Sequence, residues 1–586
     1  MSGHQRARRK APYRVYVSES AVEARRRSRR RRRRILLVAL LVAVGCGAVA
    51  GGVLVAGDRA RDAWRLAGLG TANDQPAAAS TSAVVSGVLL RTLTTAVEID
   101  PPPPIVSKGD GIKLATFLGD ETRRVYGLGP APTSLSLVWR TYVGGGMTAP
   151  VAKGENKPWT GSGWTGQPVI VRDQGRLYLL WGAYDRKLHK IDLKTGRIVW
   201  EYAFDDIIKS SPTVIEDPRA ATADDRYMVI AGSRRGWPSN YADPLLAPYR
   251  AVSFGTGREL WRLPVPLTDS YSRDVDGSGL FYGGRLYAGV ESGWFYKLDP
   301  FRTRQWNGYR TPRIVARRLL LGDPQDRVIH QGNLVLESSP CLLDGIVYVA
   351  SGAGHVYGMR RSDLKVVWDY RIGSDLDGTV VPTTAGKLLV PVEKQYIRGH
   401  GGVLCLDPSR PPSESVVWFM PTGDRRLADW EGGVIGSCAV NDAYDAWGRR
   451  PRLAAFAAID GHLYVISQDR TSGRAAGPNG DGPYPTPRVI ARFDIGGSIS
   501  TPIMVDDSII VGGYDNRIHL YKIKYRPARK DDDGALRSPD GRWFRVSVVE
   551  KASFAGGGAF ESTPVLWKGR VFIGCRDGSL YCVGDK

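Results

Sequence analysis

The chain has 586 residues and a formal net charge of +22 at pH 7. The charge is uneven, because residues 1–34 carry 13 Arg and 1 Lys against Glu19 and Glu23, a net +12. The positive net charge of the whole chain therefore says little about the partners of residues 35–586. Six cysteines in a chain of this length exclude a small domain that depends on disulfides for its stability.

The N-terminal tail ends in Arg25–Arg27 and the unbroken run Arg29–Arg34, and like charges at this density repel one another. Residues 35–57 follow without a charge, and as a helix they would be about 34 Å long, enough for a bilayer core of about 30 Å. We predict a disordered cytoplasmic tail (1–34) and a single transmembrane helix (35–57) in the inner or plasma membrane, with the rest of the chain outside the cytoplasm. The Arg25–Arg34 region would contact anionic lipid. A phosphate-binding arm is the alternative, although no specific nucleic-acid partner is predicted.

Cys46 raises a second possibility for this segment. Val42–Cys46 loosely fits a bacterial lipobox, and cleavage there would give a lipoprotein. The long basic region before it and the apolar run that continues to Gly57 favour an uncleaved anchor.

Residues 58–133 carry no repeat. Residues 71–86 are rich in Ala, Ser and Thr, and Pro101–Pro104 is a stiff polyproline stretch. We predict a stalk that holds the following domain away from the membrane, with a small structured segment around Lys113–Val125.

Three sequence marks recur in fixed order after residue 134. The frame Asp-x-x-Thr-Gly-x-x-x-Trp at Asp192–Trp200 returns at Ser253–Trp261, with Ser in place of Asp. The turn sequence GAYDRKLH at 182–189 returns as GGYDNRIH at 512–519. A small polar pair followed by Pro begins at Ser210, Ser338, Ser500 and Ser562. Short β-rich segments in such an array indicate a β-propeller.

This cycle resembles the repeat of the pyrroloquinoline-quinone (PQQ)-type eight-bladed propellers over about residues 134–586. The resemblance implies blades of four antiparallel strands. That superfamily holds quinoprotein dehydrogenases and also non-catalytic members such as the BamB-like scaffold lipoproteins of outer-membrane assembly.

We accordingly predict an all-β, eight-bladed propeller at 134–586. The last repeat ends before a Trp-bearing strand, and Ser134–Val143 supplies one, so this segment is expected to close the ring. The Trp residues expected to pack between blades are Trp139, Trp200, Trp261, Trp306, Trp368 and Trp418.

The sequence offers no motif for catalysis. Quinoprotein dehydrogenases resemble one another in a vicinal Cys-Cys pair, which this chain lacks, and no HExxH, G-x-S-x-G or Walker sequence appears. Asp274–Gly279 is similar to a calcium loop but lacks its later acidic ligand. We predict a protein that is not an enzyme and has no cofactor and no metal, whose propeller cysteines are small buried residues.

The predicted function is a membrane-anchored, non-catalytic propeller outside the cytoplasm. It would serve as a protein-interaction scaffold or ligand-sensing platform for an envelope protein partner, BamB-like envelope assembly being one form of that role. Two alternatives stay open: a quinoprotein-like oxidoreductase that uses PQQ, and a polysaccharide-binding module that uses exposed Trp237, Trp294 and Trp430.

Acidic residues recur where the first strand of a blade begins, at one mouth of the central tunnel. They are Asp274, Asp276, Glu337, Asp375, Asp377, Glu431 and Glu561, with only Lys209 and Arg273 as bases beside them. One hypothesis is that each carboxylate caps backbone N–H groups of a neighbouring blade. The other is that they share a funnel, where mutual repulsion raises their pKa values and a cation or a basic segment of a partner binds.

Overall fold

The structure, a computed structural model, describes residues 109–149, 157–236, 242–427 and 430–586. The predicted tail, the predicted transmembrane helix and most of the predicted stalk lie outside these ranges. Within them, no helix is long and apolar enough to cross a membrane.

The described residues form eight four-stranded antiparallel blades, which confirms the predicted all-β propeller. The strands of each blade are named A to D from the tunnel outwards. Blades 1 to 4 consist of Val169–Asp173, Arg176–Gly182, Lys187–Asp192 and Ile198–Ala203; Thr213–Glu216, Tyr227–Gly232, Tyr249–Ser253 and Glu259–Leu263; Leu280–Tyr282, Arg285–Gly289, Trp294–Trp306 and Tyr309–Leu319; Cys341–Leu343, Ile346–Ala350, His355–Arg360 and Val366–Arg371.

Blades 5 to 8 consist of Val381–Pro382, Leu388–Val392, Gly402–Leu406 and Val416–Pro421; Ala439–Val440, Leu453–Ala457, His462–Ala475 and Tyr484–Asp494; Ile503–Val505, Ser508–Gly512, Arg517–Pro527 and Trp543–Ala555; Val565–Trp567, Arg570–Cys575, Ser579–Gly584 and Ser136–Tyr142. The remaining strands are Gly111–Leu114, Gly127–Leu128, Gly145–Gly146, Trp159–Thr160, Asp424–Leu427, Trp430–Gly432 and Leu536–Arg537. One α-helix (Pro324–His330) and two 3-10 turns (Pro412–Glu414 and Asp442–Tyr444) complete the secondary structure of the described ranges.

The ring is closed by an early strand. Ser136–Tyr142 pairs antiparallel with Ser579–Gly584, and Trp139 lies opposite Cys582. The outermost strand of blade 8 therefore comes from the start of the propeller, so that its first and last parts are tied by a hydrogen-bonded ladder.

The Ser-Ser/Thr-Pro motif fastens neighbouring blades to one another. The second hydroxyl accepts a hydrogen bond from the preceding blade: Ser211 Oγ from the Gln167 amide at 2.9 Å and Ser339 Oγ from the Ser278 amide at 2.9 Å. The first serine bonds within its own blade in blade 4, where Ser338 Oγ donates to and accepts from the Ala350 backbone, and across to the next blade in blade 7, where Ser500 Oγ donates to the Ser562 carbonyl at 2.8 Å. The repeated motif is thus explained by hydrogen bonds around the tunnel.

Five of the six tryptophans expected between blades occupy equivalent places in strand D, each immediately after the extra residue of a β-bulge. They are Trp139, Trp200, Trp261, Trp368 and Trp418. Trp200 shows the contact: its Nε1 donates to the Phe254 carbonyl of blade 2 at 2.9 Å. A Cβ on Gly257 of that blade would come within 3.0 Å of the same ring, so the turn needs glycine there.

The assignment of Trp306 is wrong. Trp306 ends strand C of blade 3, opposite Tyr309, and the equivalent place in strand D is taken by Ala316, opposite Lys297. Ala491 and Ala552 occupy the same place in blades 6 and 7. The C–D hairpin of blade 3 is longer than those of the short repeats, so its fourth strand lies further along the chain. Spacing counted from the short repeats therefore points to Trp306, at the end of strand C, and misses Ala316 in strand D.

Residues 109–133, assigned to the stalk from the sequence, are instead part of the propeller. Gly111–Leu114 pairs with strand A of blade 1, and Gly127–Leu128 pairs with strand A of blade 8. Between them, the fully buried Arg123 donates to the carbonyls of Pro340 at 2.9 Å and Phe117 at 2.6 Å. Burial lowers the pKa of Arg123 to about 10.

Tyr126 of the same segment is also fully buried, and its hydroxyl accepts a hydrogen bond from the Val440 amide of blade 6 at 2.9 Å. The segment therefore contacts several innermost strands at once. Polar groups this deeply buried need such partners, so residues 115–126 are an integral part of the core around the tunnel.

The cysteines of the described part of the chain, Cys341, Cys405, Cys438, Cys575 and Cys582, are buried free thiols. Burial raises the pKa of Cys341 to about 12, so it behaves as a small apolar side chain at neutral pH.

Candidate binding site at the acidic mouth

Six carboxylates from blades 3, 4 and 5 come together in two groups at one end of the tunnel. Asp276, Glu291 and Glu337 offer oxygens that all lie within 4.8 Å of one another. Asp375, Asp377 and Glu393 do the same. We call these six residues the acidic mouth. Four of them were candidates from the sequence: Asp276, Glu337, Asp375 and Asp377.

Sequence reasoning missed Glu291 and Glu393, which lie in turns between strands B and C. Glu291 follows Gly289, the last residue of strand B, by two residues, and Arg234 follows Gly232 in the same way. A Cβ on Gly289 would lie 3.0 Å from Leu336 Cβ of the next blade, so this glycine permits close blade packing. The Gly-x-Glu sequence was the available signal for Glu291, whereas Glu393 follows Pro391 and Val392 and carries no such signal.

Asp274 has a different role. Its Oδ2 accepts a hydrogen bond from Arg234 Nε at 2.7 Å, and its Oδ1 accepts one from the Arg235 amide at 3.0 Å. Burial alone would raise the pKa of Asp274, but the cations Arg234 and Lys209 outweigh burial and lower it. Asp274 therefore caps a loop of blade 2, as the capping hypothesis expects.

Glu561 and Glu431 are not in the acidic mouth. Glu561 accepts hydrogen bonds from Arg576 at 2.7 Å and from the Tyr514 hydroxyl at 2.8 Å. Glu431 is exposed on the small hairpin formed by Asp424–Leu427 and Trp430–Gly432. Together with the acidic mouth and Asp274, the predicted set of acids thus divides among four different environments.

The two predicted bases also separate. Lys209 forms an ion pair with Asp276. Although burial would lower the pKa of Lys209, the carboxylates of Asp276, Glu337 and Glu291 raise it well above its usual value. Arg273 instead donates to the carbonyls of Val265 at 2.9 Å and Asp243 at 2.8 Å. Lys209 is thus the base paired directly with the acidic mouth.

One cation does not neutralise six carboxylates. Burial, and then the repulsion between neighbouring carboxylates, raises the pKa values of Glu291, Glu337, Asp375, Asp377 and Glu393 well above their usual range.

Several of these carboxylate oxygens are incompletely bonded. Asp375 Oδ2 accepts from Asn333 at 2.5 Å and Glu393 Oε1 accepts from Gln395 at 2.8 Å. The buried Asp375 Oδ1, Glu393 Oε2 and Glu291 Oε1 have no hydrogen-bond partner among the described residues. Buried acceptors without a donor are costly, so the acidic mouth has unused capacity for a donor or a cation.

Two tyrosines border the acidic mouth. Tyr271 is 51% exposed and Tyr396 is 41% exposed. Burial of its surroundings, and then the charges of Asp375, Glu393 and Asp377, raise the pKa of Tyr396 to about 12. Burial and then Glu337, Glu291, Asp375 and Asp377 likewise raise the pKa of Tyr271. Carboxylates beside aromatic faces suit an organic cation, and an all-oxygen donor set also suits a hard metal ion.

Two of the three tryptophans proposed as exposed sugar platforms are not fully exposed. Trp294 is half-buried beneath the Arg317 guanidinium, 4.5 Å from its ring centre, and Trp430 is half-buried against the apolar cluster of Trp164, Ile435, Ile459 and Ile499. Trp237 lies outside the described residues.

Eight four-stranded blades with the Ser-Ser/Thr-Pro and Trp repeat are the architecture of the PQQ-type propellers. Residues 125–237 match the family model described as "Outer membrane protein assembly factor BamB". The predicted resemblance to the PQQ-type propeller repeat is thereby confirmed. No curated protein matches the chain.

Similar solved structures include two natural proteins and one designed protein. BamB from Moraxella catarrhalis is 13% identical over 77% of this chain and 98% of its own, with a TM-score of 0.43. Quinohemoprotein alcohol dehydrogenase from Comamonas testosteroni is 13% identical over 82% of this chain and 81% of its own, with a TM-score of 0.49. The computationally designed Ika8 protein is 12% identical over 73% of this chain and all of its own, with a TM-score of 0.40.

Proposed function

We propose that this protein is a membrane-anchored, non-catalytic PQQ-type propeller that acts as a protein-interaction scaffold outside the cytoplasm. Residues 35–57 would anchor it in a single pass, and the Arg25–Arg34 region would contact anionic lipid on the cytoplasmic side. Its envelope partner would insert a Lys or Arg side chain into the acidic mouth.

The observation that carries this proposal is the excess of buried carboxylates over cations. Glu291 and Glu393 each keep a buried oxygen without a donor among the described residues, and Lys209 is already paired with Asp276. An ammonium or guanidinium group carries several N–H donors and a positive charge, so it would relieve both deficits. Tyr271 and Tyr396 would contact the aliphatic stem or the cationic head.

PQQ does not suit these residues. It is a quinone with three carboxylates, and the acidic mouth would repel them. The vicinal Cys-Cys pair of the quinoprotein dehydrogenases is also absent from the sequence. The charge of the mouth therefore favours a scaffold over the alternative of a PQQ-dependent oxidoreductase.

The test is binding of a fluorescent tetralysine peptide to the folded protein, measured by anisotropy at low salt, with a tetraglutamate peptide for comparison. In the variant E291Q/E337Q/D377N, which removes three carboxylates, affinity for tetralysine should fall at least about tenfold, or about 1.4 kcal/mol. Adding PQQ with Ca²⁺ should give no bound chromophore.

The matched control is E414Q/D531N/D533N, which removes three exposed carboxylates elsewhere. It should bind tetralysine as the wild type does. Equal loss in both variants would mean that only the overall charge matters, and undiminished binding in E291Q/E337Q/D377N would reject the acidic mouth. A chromophore that binds and supports dehydrogenase activity would support the oxidoreductase instead.

A further inference from the structure

The long C–D hairpin of blade 3 forms a cleft that is separate from the acidic mouth. The hairpin folds back over blade 2, where Arg262 lies 5.7 Å from the centre of the Tyr309 ring and Thr311 is buried. A cleft of about 360 Å³ lies between the hairpin and Pro264, which follows the last strand of blade 2. Because the hairpin packs on its neighbour, the cleft is preformed.

The cleft is basic. Arg302, Arg304 and Arg313 line it, and no carboxylate is among its described lining residues. Arg302 lies 3.6 Å from Asp299, which neutralises part of its charge. Arg304 and Arg313 are exposed, and neither has an ion pair or side-chain hydrogen bond to another described residue. Two unneutralised guanidinium groups therefore face one small cavity.

Trp306 adds an apolar surface to the same cleft. Arg304 and Trp306 lie two residues apart in the regular part of the ladder, opposite Thr311 and Tyr309, so their side chains share one face of the strand. The indole ring is half-buried and packs edge-on against Tyr309, with ring centres 5.2 Å apart. Its orientation is thus held by packing, and Pro264 and Ile314 supply further apolar contacts.

These groups define the chemistry of a ligand. Guanidinium groups donate hydrogen bonds and accept none, and they bind phosphate or carboxylate in a bidentate manner. A Trp ring packs against the C–H face of a sugar. A nucleobase would present N–H donors, for which this cleft has no carboxylate or amide acceptor among its described lining side chains. The volume suits one ring with its charged group and not a polymer groove.

We propose that this cleft binds an anionic saccharide unit, with its phosphate or carboxylate held by Arg304 and Arg313 and its ring packed on Trp306. The site is independent of the acidic mouth, which has the opposite charge. A phosphorylated or uronic-acid-bearing glycan is the chemical class that matches all three side chains.

Saturation-transfer NMR at millimolar ligand concentration tests this directly, using glucose 6-phosphate, glucuronic acid, glucose and uridine monophosphate as probes. Glucose 6-phosphate and glucuronic acid should receive saturation at their ring protons, and glucose should receive at least about threefold less. R304Q/R313Q and W306L should each reduce transfer to glucose 6-phosphate at least about fivefold. The control R197Q/R318Q, with the same change in charge at exposed positions outside the cleft, should leave it unchanged.

Four outcomes would overturn the proposal. They are no transfer to either anionic sugar, equal transfer to glucose, stronger transfer to the uracil protons of uridine monophosphate, or the same loss in R197Q/R318Q as in R304Q/R313Q. Thermal melting of each variant confirms that it is folded. A folded W306L with full transfer to the sugar ring would likewise reject the role of Trp306.

Discussion

Blades 1, 2, 4, 5 and 8 differ from blades 3, 6 and 7 in two features that change together. The first group has Trp at the strand D position, and their C and D strands are 5 to 7 residues long. The second group has Ala there, and their C and D strands are 11 to 14 residues long. The same ring thus combines regular blades with three whose C–D hairpins are extended.

The contact between blades 3 and 4 shows how the usual packing of a strand D Trp on a glycine turn is replaced. In blades 1 and 2, the turns that receive Trp139 and Trp200 place Gly196 and Gly257 at positive φ. The equivalent turn in blade 4 has Leu364 at φ 60°, and its amide makes the same hydrogen bond, to the Arg360 carbonyl at 2.9 Å. Leu364 is fully buried in the apolar cluster against which Ala316 packs.

The exchange is therefore one of volume between neighbours. At this contact blade 3 lacks the Trp and blade 4 supplies Leu364, at the cost of a left-handed backbone for a residue with a Cβ. Packing between blades can thus be achieved in two ways. Blade 3, which lacks this Trp, carries the hairpin that forms the cleft lined by Arg304, Arg313 and Trp306.

The largest expected effect is loss of a regular Trp. Trp418 is 1% exposed, and its Nε1 donates to the Gln468 carbonyl at 2.9 Å. Trp418→Ala should lower the free energy of unfolding by about 3–5 kcal/mol, because it leaves a large cavity and an unpaired carbonyl. Trp306→Ala, in an extended hairpin, should cost less than about 1 kcal/mol, if the half-buried ring serves a ligand more than the core. Equal costs in urea unfolding would remove the distinction between the two kinds of Trp.

An intermediate effect on stability is expected when the contact between blades 3 and 4 is converted to the Trp–Gly contact of the regular blades. Ala316→Trp alone should destabilise by about 1–3 kcal/mol, because Leu364 occupies the space. Leu364→Gly alone loses buried apolar contacts. The double variant should recover at least about 0.5 kcal/mol relative to the sum of the single changes. Additive costs in a double-mutant cycle would show that the two positions do not substitute for each other.

The smallest effect concerns pH and separates the acidic mouth from the framework. The folded-state pKa values of five of its carboxyl groups, those of Glu291, Glu337, Asp375, Asp377 and Glu393, are raised. Between about pH 4 and those values the folded protein therefore binds more protons than the unfolded chain. Their contribution to stability is fully present at low pH and is lost as pH rises. E291Q/E337Q/D377N should therefore lose less stability than the wild type between pH 5 and 8, and should be more stable by about 1 kcal/mol at pH 8.

The two histidines whose pKa values are also raised, His355 and His519, act in the same direction but are unchanged in this variant. The difference between the two pH profiles therefore isolates the acidic mouth. Parallel profiles would mean that these carboxyl groups are not strained by repulsion.

The sequence by itself determined the framework. Repeats predict eight blades because each blade must present the same hydroxyl pair and strand pattern to its neighbours, and the unaccompanied Trp139 strand marks the closing segment. It also placed Asp276, Glu337, Asp375 and Asp377 together, since all precede strand A at repeated positions.

Only the tertiary structure showed the positions of residues that depart from the repeat. Extended hairpins moved the regular position from Trp306 to Ala316, which spacing alone does not reveal. Glu291 and Glu393 lie in B–C turns that face the acidic mouth. Residues Phe117 to Tyr126, predicted as part of the stalk, pack instead among the innermost strands. These contacts join residues far apart in the chain. They depend on how the blades are arranged around the tunnel, so local sequence patterns cannot predict them.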